Sequence, residues 1–93
     1  MLLQPLSPAQ ARHLLLNILA GDGIVLFGSH ARRQMQERGV SELMVYVALE
    51  DGEFAEAYME RGSWRHKVTL QDTVVVIAFH HEHEVAIVTV FLE

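Results

Sequence analysis

The spacing of hydrophobic residues changes along the chain, from intervals of three or four residues in the first part to every second residue after Gly52. In the first part the spacing is that of one helical face, and it is clearest at Ala11, Leu14, Leu15, Ile18 and Leu19. Ser7 and Pro8 suit the beginning of such a helix, and Gly21 suits a left-handed residue at its end. The sequence therefore predicts a first helix between Ser7 and Gly21.

Two more helices are predicted before the alternating region begins. The second runs from a cap at Ser29 to about Arg38, and the third runs from a cap at Ser41 to Gly52. The apolar stripe of the third helix is expected at Leu43, Met44, Val47 and Ala48. The segment before the second helix, Ile24–Phe27, is interpreted as either a short buried strand or an extended segment.

The alternation that begins at Glu53 is typical of β-strands. It predicts four strands of about eight residues each, at Glu53–Glu60, Ser63–Leu70, Thr73–His80 and Val85–Leu92. The connections are short enough for hairpins, which gives an antiparallel meander. We therefore expect a single α+β domain over residues 1–93, with two to three N-terminal helices packed on a curled four-stranded antiparallel β-sheet.

Composition narrows the class of protein without assigning a function. With 51% apolar residues and no cysteine, the chain is expected to fold without disulfides or thiolate chemistry. No apolar run approaches the roughly 20 residues that cross a bilayer. No cationic segment precedes the first apolar residues, so neither a membrane span nor a secretory signal is predicted, and a cytoplasmic location is expected. The net charge of −5 repels polyanions, although six of the seven Lys and Arg residues lie between residues 32 and 67.

A histidine and an arginine are expected on one face of the second helix. His30 lies in the first turn, where the helix dipole favours a bound anion, and Arg33 follows at the i+3 position. A neutral histidine beside an arginine can accept a proton while the arginine holds a phosphate. The alternative is a partly buried histidine that closes the helix start, with the arginines in solvent.

Two cations share one face of the second predicted strand. Alternation places Arg65 and Lys67 on one side and His66 and Val68 on the other. Their separation of roughly 7 Å matches adjacent phosphates of a nucleic acid strand. The alternative is a solvated polar face on a sheet whose other side packs against helices.

The His80–Glu84 segment combines three histidines with two carboxylates. A zinc site usually draws its ligands from separate elements, whereas all these residues belong to one predicted hairpin tip. We therefore expect a structural turn and no metal or other cofactor, with a metal site as the alternative.

Residues 29–41 read Ser-His-Ala-Arg-Arg-Gln-Met-Gln-Glu-Arg-Gly-Val-Ser. This stretch resembles the His-Ala-x-x-x-Met-x-x-Arg-Gly-Ile-Ser opening of a small bacterial family, domain of unknown function 4258. The Trp64-Arg65 strand, the Val74–Val76 strand and the closing Ile87–Phe91 stretch also fit. The resemblance covers about residues 24–93 and leaves residues 1–23 as an additional helix. The family is grouped with RelE-like folds (barnase–EndoU–colicin–RelE), which implies helices on one face of a curled antiparallel sheet.

The resemblance also implies an activity, that of metal-independent ribonucleases, which are often toxins paired with an antitoxin. In that role His30 would act as acid or base on the 2′-hydroxyl or the leaving oxygen, and Arg65 and Lys67 would stabilise the phosphorane charge. Substrate binding is assigned to Arg33 and to two residues that match the family pattern, Arg38 and Thr89. The alternative for Arg38 is a structural role at the end of its helix.

Three hypotheses about function stay open from the sequence, and so does the question of whether the chain is an enzyme. The leading hypothesis is an RNA-cleaving, toxin-like domain whose partners are RNA and a cognate antitoxin. The second is a non-catalytic protein-binding or regulatory module on the same fold, supported by the acidic balance and the amphipathic first helix, which could also pack a homodimer. The third is a divalent-metal hydrolase built on the His80–Glu84 hairpin.

Overall fold

The structure, a computed structural model, describes residues 2–93 of the chain. Its elements in chain order are α1 (Pro8–Asn17), which continues as a π-helical turn (Ile18–Asp22), β1 (Ile24–Phe27), α2 (Ser29–Arg38), α3 (Glu42–Asp51), β2 (Glu53–Phe54), β3 (Tyr58–Glu60), β4 (Ser63–Leu70), β5 (Thr73–His81) and β6 (Glu84–Leu92). Among the described residues, no helix is long and apolar enough to cross a membrane.

Side-chain caps define two of the helix N-termini, those of α1 and α3. At α1 the Ser7 hydroxyl accepts from the backbone N–H of Gln10, and the Gln10 side chain accepts from the backbone N–H of Ser7. The Ser41 hydroxyl caps α3 in the same way, by accepting from the backbone N–H of Met44 at 3.1 Å. The predicted cap at Ser29 is wrong by one residue, because Gly28 occupies that position and α2 has no side-chain cap.

The strands form one sheet in the order β1-β6-β5-β4-β2, with β3 paired to the first part of β4. The α+β class agrees with the expectation, but the sheet differs in detail from the predicted four-stranded antiparallel one. The β1 strand pairs with β6 in parallel, which gives a mixed sheet. The predicted strand Glu53–Glu60 is two short strands, β2 and β3, that pair with different parts of β4.

A single hydrophobic core lies between the helices and one face of the sheet. Its buried side chains come from all three helices and the main strands and include Ala11, Leu15, Ile18, Ala31, Met35, Val45, Ala48, Leu49, Val68, Val75, Ile77, Phe79, Val85, Ile87 and Val90. The central strand β5 is buried on both faces from Thr73 to Phe79. The edge strand β1 is only half buried, because Val25 and Phe27 pack on the core while Ile24 and Leu26 face outward.

The face of α3 that enters the core shares only Ala48 with the predicted one. Val45, Ala48 and Leu49 are buried, whereas Leu43 is 72% exposed and Met44 and Val47 are 40% and 41% exposed. Residues 43–49 form an uninterrupted apolar and aromatic run, so their spacing does not distinguish one helical face from another. Packing of α3 against β4 and β5 makes the choice, and it leaves an apolar stripe on the surface.

His66 is the one fully buried residue with an ionisable side chain among residues 2–93. It lies on the core face of β4, and its ring packs edge-on against Phe79 with 5.6 Å between ring centroids. Within the described residues, neither ring nitrogen has a hydrogen-bond partner. Burial therefore lowers the pKa of His66 below its ordinary value of about 6.5, because the charged ring would lose its hydration.

This burial predicts a pH-dependent stability. The unfolded chain takes up a proton at His66 below about pH 6.5 while the folded chain does not, so the free energy of unfolding should fall as the pH drops below that value. His66→Leu should weaken this dependence and raise the free energy of unfolding at neutral pH by about 1 kcal/mol, because an unpartnered polar group leaves the core. Urea denaturation at about pH 5 and about pH 7.5 measures both effects. His13→Leu, at an exposed position of α1, is the control that should retain the slope, and an unchanged slope in His66→Leu would contradict the prediction.

The close approach of β1 to the β5–β6 turn predicts a second effect on stability. A Cβ atom at Gly23 would overlap the backbone carbonyl of His83, which accepts a 2.8 Å hydrogen bond from the N–H of Ile24. Gly23→Ala should therefore lower the free energy of unfolding by about 1–3 kcal/mol, by forcing the two segments apart. Gly28→Ala is the matched control, since its nearest contact, the Ile87 carbonyl at 3.2 Å, is less severe. Equal losses in the two variants would show that the approach at Gly23 is not the cause.

Candidate functional site

A cavity of about 530 Å³ opens on the side of the sheet opposite the helical core. The side chains around it come from α2, the β3–β4 hairpin, β4 and β6, and they are His30, Glu60, Arg61, Arg65, Val88 and Thr89. The strand register places this cavity on the outer face. Val90 and its partner Val75 point into the core, so the neighbouring pair, Thr89 and Val76, points to the opposite side of the sheet.

A β-bulge in β6 shapes one wall of the cavity. Val76 pairs with Thr89 and the next residue of β5, Ile77, pairs with Ile87, so Val88 is the extra residue. In a regular strand Val88 and Thr89 would point to opposite faces. The bulge turns both toward the cavity, and it allows Ile87 and Val90 to face the core on either side.

The start of α2 places His30 at this wall. Gly28, which follows β1, donates its N–H to the Ile87 carbonyl at 3.0 Å, so the helix begins beside the bulge. Farther along α2, the Gln34 side chain accepts from the N–H of Val90 at 2.9 Å and covers a part of β6 beyond its pairing with β1. His30 is the second residue of α2, near the helix N-terminus, where the dipole favours anions.

The opposite wall is an ion pair within the β3–β4 hairpin. Arg65 Nη1 lies 2.7 Å from Glu60 Oε2, and Arg65 Nε donates to Ser63 Oγ at 3.3 Å. The Arg65 side chain is only 14% exposed, so these bonds hold it in a defined orientation. A guanidinium has five N–H donors, which leaves others to bind an anion in the cavity.

Tyr58 lies directly across from Arg65 in the β3–β4 pairing. Desolvation by the surrounding protein raises the pKa of Tyr58, the charge of Glu60 raises it further, and Arg65 opposes the shift. The phenol is therefore protonated at neutral pH, on the side of the hairpin that carries Arg65.

The structure brings together three of the six site residues expected from the sequence, His30, Arg65 and Thr89. Lys67 shares the outer face of β4 but points elsewhere, with Nζ 3.8 Å from a Glu93 carboxylate oxygen and over the Phe91 ring. The remaining two residues, Arg33 and Arg38, are exposed on α2 and do not line the cavity.

Glu60, Arg61 and Tyr58 were not predicted from the sequence as site residues. The two-residue turn Arg61-Gly62 carries the signal that could have identified Glu60. Such a turn pairs Glu60 with Ser63, and Ser63 shares a strand face with Arg65. The carboxylate and the guanidinium are therefore on the same side of the hairpin.

The histidines of the β5–β6 hairpin have other partners within the fold. His80 Nδ1 lies 2.7 Å from Glu84 Oε2, His81 Nδ1 accepts from the N–H of His83, and His83 Nδ1 donates to the Asp22 carbonyl at 2.9 Å. Among residues 2–93 there is no group of three or more His, Cys, Asp or Glu side chains arranged to hold a metal ion. Two of these hydrogen bonds lie within the hairpin, and the bond from His83 to Asp22 connects it to the segment before β1.

Comparison with known protein families identifies a match. The model of a family described as a domain of unknown function (DUF4258) matches residues 27–92. This span includes every residue that lines the cavity, whereas α1 and the π-helical turn precede it. No curated protein and no solved structure matches the chain.

The geometry of the histidine hairpin predicts that zinc does not stabilise the fold. A ligand that binds only the folded state raises the midpoint of thermal unfolding, whereas these rings already bond to groups of the protein. The midpoint should be the same with micromolar zinc chloride and with EDTA. A rise that depends on zinc concentration and is lost in His81→Ala would instead establish a metal site at the hairpin.

Proposed function

The chain belongs to the family described as domain of unknown function 4258, and we propose that it is a RelE-like domain that cleaves RNA without a metal ion. The observation that carries the proposal is the convergence of His30, Glu60 and Arg65 on one cavity from separate parts of the chain. An imidazole, a carboxylate and a guanidinium provide a proton donor, a proton acceptor and charge stabilisation. The helices packed on one face of a curled sheet also support the RelE-like assignment.

Arg65 is the main binding group for the phosphate in this proposal. Its bonds to Glu60 and Ser63 orient the guanidinium before substrate arrives, which reduces the entropy lost on binding. Arg61, in the exposed turn of the hairpin, adds a second positive charge at the rim. The N-terminus of α2, beside His30, contributes a further partial positive charge.

The proposed reaction is a transesterification within the RNA strand. The 2′-hydroxyl oxygen bonds to the adjacent phosphorus, and the bond from phosphorus to the 5′ oxygen of the next nucleotide breaks. Glu60 accepts the proton of the 2′-hydroxyl, the His30 ring donates a proton to the departing 5′ oxygen, and Arg65 stabilises the phosphorane. The products are a 2′,3′-cyclic phosphate and a 5′-hydroxyl, with no water consumed.

The net charge of −5 limits how such a domain would find its substrate. The overall field repels RNA, so association gains little from long-range attraction. Affinity would depend on the contacts made inside the cavity, and few phosphates would be neutralised. We therefore expect a shallow dependence of RNA affinity on salt concentration.

A protein inhibitor of the antitoxin kind belongs to the same proposal. Such a partner would act by covering the cavity and placing a carboxylate against Arg61 and Arg65. Glu60 already makes this type of contact with Arg65 within the chain.

The proposal predicts a metal-independent ribonuclease that depends on the residues of the cavity. The wild-type protein should cleave a labelled single-stranded RNA of mixed sequence in the presence of EDTA and leave 2′,3′-cyclic phosphate ends. His30→Gln and Glu60→Gln should each lower the cleavage rate by about 10²–10⁴-fold, because each removes a proton-transfer group. Arg65→Ala should lower the rate by about 10²–10³-fold through the loss of charge stabilisation. Single-turnover rates on denaturing gels measure these effects.

Matched substitutions outside the cavity control for general effects on the protein. His13→Gln and Glu56→Gln replace exposed residues of the same types and should cleave at the wild-type rate. Circular dichroism establishes that each variant is folded. The proposal is wrong if wild-type protein leaves RNA intact, if His30→Gln retains full activity, or if an all-deoxy strand is cut equally well.

A further inference from the structure

An apolar groove lies between α3 and the β4–β5 turn, on the helical side of the sheet. Its volume is about 250 Å³, and its lining side chains are Leu43, Met44, Val47, Leu70, Gln71 and Thr73. We call this feature the α3 groove. It exists because α3 is apolar around most of its circumference and buries only the face that carries Val45, Ala48 and Leu49.

The apolar surface continues beyond the α3 groove itself. Leu92 of β6 pairs with the lining residue Thr73 and is 39% exposed. Leu43 is the most exposed of the large apolar side chains on α3. A contiguous surface of this kind, at the junction of a helix and a sheet end, is typical of an interaction site and not of an isolated exposed residue.

Carboxylates surround the α3 groove. Glu50 and Asp51 follow Val47 at the i+3 and i+4 positions of α3, and Asp72 lies in the β4–β5 turn. None of these three carboxylates forms a salt bridge with any residue in the 2–93 range. The rim therefore has three negative charges that form no salt bridge within residues 2–93.

Two cations of the surrounding segments pair with carboxylates outside the rim. Arg32 Nη1 lies 2.9 Å from Glu42 Oε2, and Lys67 Nζ lies 3.8 Å from Glu93 Oε1. Arg12 donates to the backbone carbonyl of Glu50 at 3.1 Å and keeps its own charge, so it offsets one of the three carboxylates. The rim as a whole stays acidic.

We propose that the α3 groove is the docking site for a basic amphipathic helix of a partner protein. The apolar side chains of that helix would fill the groove, and its Lys or Arg residues would face the three unpaired carboxylates. Complementary charge of this kind mainly gives specificity and faster association, while the buried apolar side chains give most of the affinity.

Charge distinguishes this occupant from the others that an apolar groove can accept. A second copy of the chain would bring two acidic rims together around the same contact, because a two-fold interface pairs each patch with itself. An anionic membrane or a nucleic acid would meet the same repulsion. A cationic helix meets none of it.

The dimensions of the groove also suit a helix. A ten-residue helix such as α3 is roughly 15 Å long, which matches about three turns of a partner helix. Such a helix presents apolar anchors at i, i+3 or i+4 and i+7. Leu43 and Val47 lie one turn apart on α3, so their side chains would pack between two successive anchors of the partner helix.

This inference goes beyond the proposed ribonuclease activity and does not rest on it. The α3 groove is on the helical side of the sheet, whereas the cavity with His30 and Arg65 is on the outer face. A partner could therefore bind the groove while the cavity stays open.

The test uses two synthetic helical peptides of about 14 residues, roughly 21 Å long, one with a Leu/Lys pattern and one with the same pattern in Leu/Glu. The Leu/Lys peptide should shift the backbone amide resonances of residues 43–47 and 70–73 in the 15N-labelled protein, and the Leu/Glu peptide should not. Leu43→Ser should raise the Kd for the Leu/Lys peptide about tenfold, as expected for the loss of a central apolar anchor.

Two further variants distinguish binding in the groove from nonspecific hydrophobic binding and from purely electrostatic binding. Leu3→Ser replaces a leucine that is 78% exposed elsewhere and should leave the Kd unchanged. Asp51→Lys should raise the Kd roughly two- to fivefold, and the cation suits the last turn of α3. Equal effects of Leu3→Ser and Leu43→Ser, or equal binding of both peptides, would overturn the proposal. A dimer of the protein that Leu43→Ser converts to a monomer would do so too, since a second copy would then be the occupant.

Discussion

The parallel pairing of β1 with β6 is the constraint on which the rest of the structure depends. It joins residues 24–27 to residues 84–87, so the segment that leads into α2 is held against the last strand of the sheet. The bond from Gly28 to the Ile87 carbonyl then makes α2 start beside the bulge at Val88. His30 reaches the outer face of the sheet for this reason, and without the pairing it would have no defined position relative to Arg65.

The two faces of the sheet create different environments for neighbouring residues of one strand. On β4, His66 is buried in the apolar core without a hydrogen-bond partner, and the next residue toward the turn, Arg65, is held on the outer face by Glu60. Burial of a neutral histidine lowers stability but leaves it uncharged, whereas a buried arginine would keep its charge at a much larger cost. The alternation of side chains along β4 therefore places His66 in the core and Arg65 at the candidate site, although the two residues are adjacent in sequence.

Sequence reasoning succeeded where the interactions were local. The bounds of β4, the two-residue turns at Arg61-Gly62 and Gln71-Asp72 and the caps at Ser7 and Ser41 all agree with the structure, because each depends on residues only a few positions apart. It failed at α3, where an unbroken apolar run gives no preferred face. At β1 it gave the correct bounds but left open the choice between a strand and an extended segment, since four residues are too few to show a period. Because α3 is apolar on more than the face that it buries, part of its apolar surface stays exposed as a stripe.

The sequence by itself determined the α+β class, the positions of the helices and hairpins, and the side of β4 on which Arg65 lies, because helical and strand periods decide these locally. Only the tertiary structure decided that His30 and Thr89 share a cavity with Arg65 and that Lys67 does not. Those contacts depend on a parallel pairing between distant segments and on a bulge that turns two consecutive side chains of β6 to one face. Neither feature has a local sequence signal, since each forms only when the whole sheet and its core assemble.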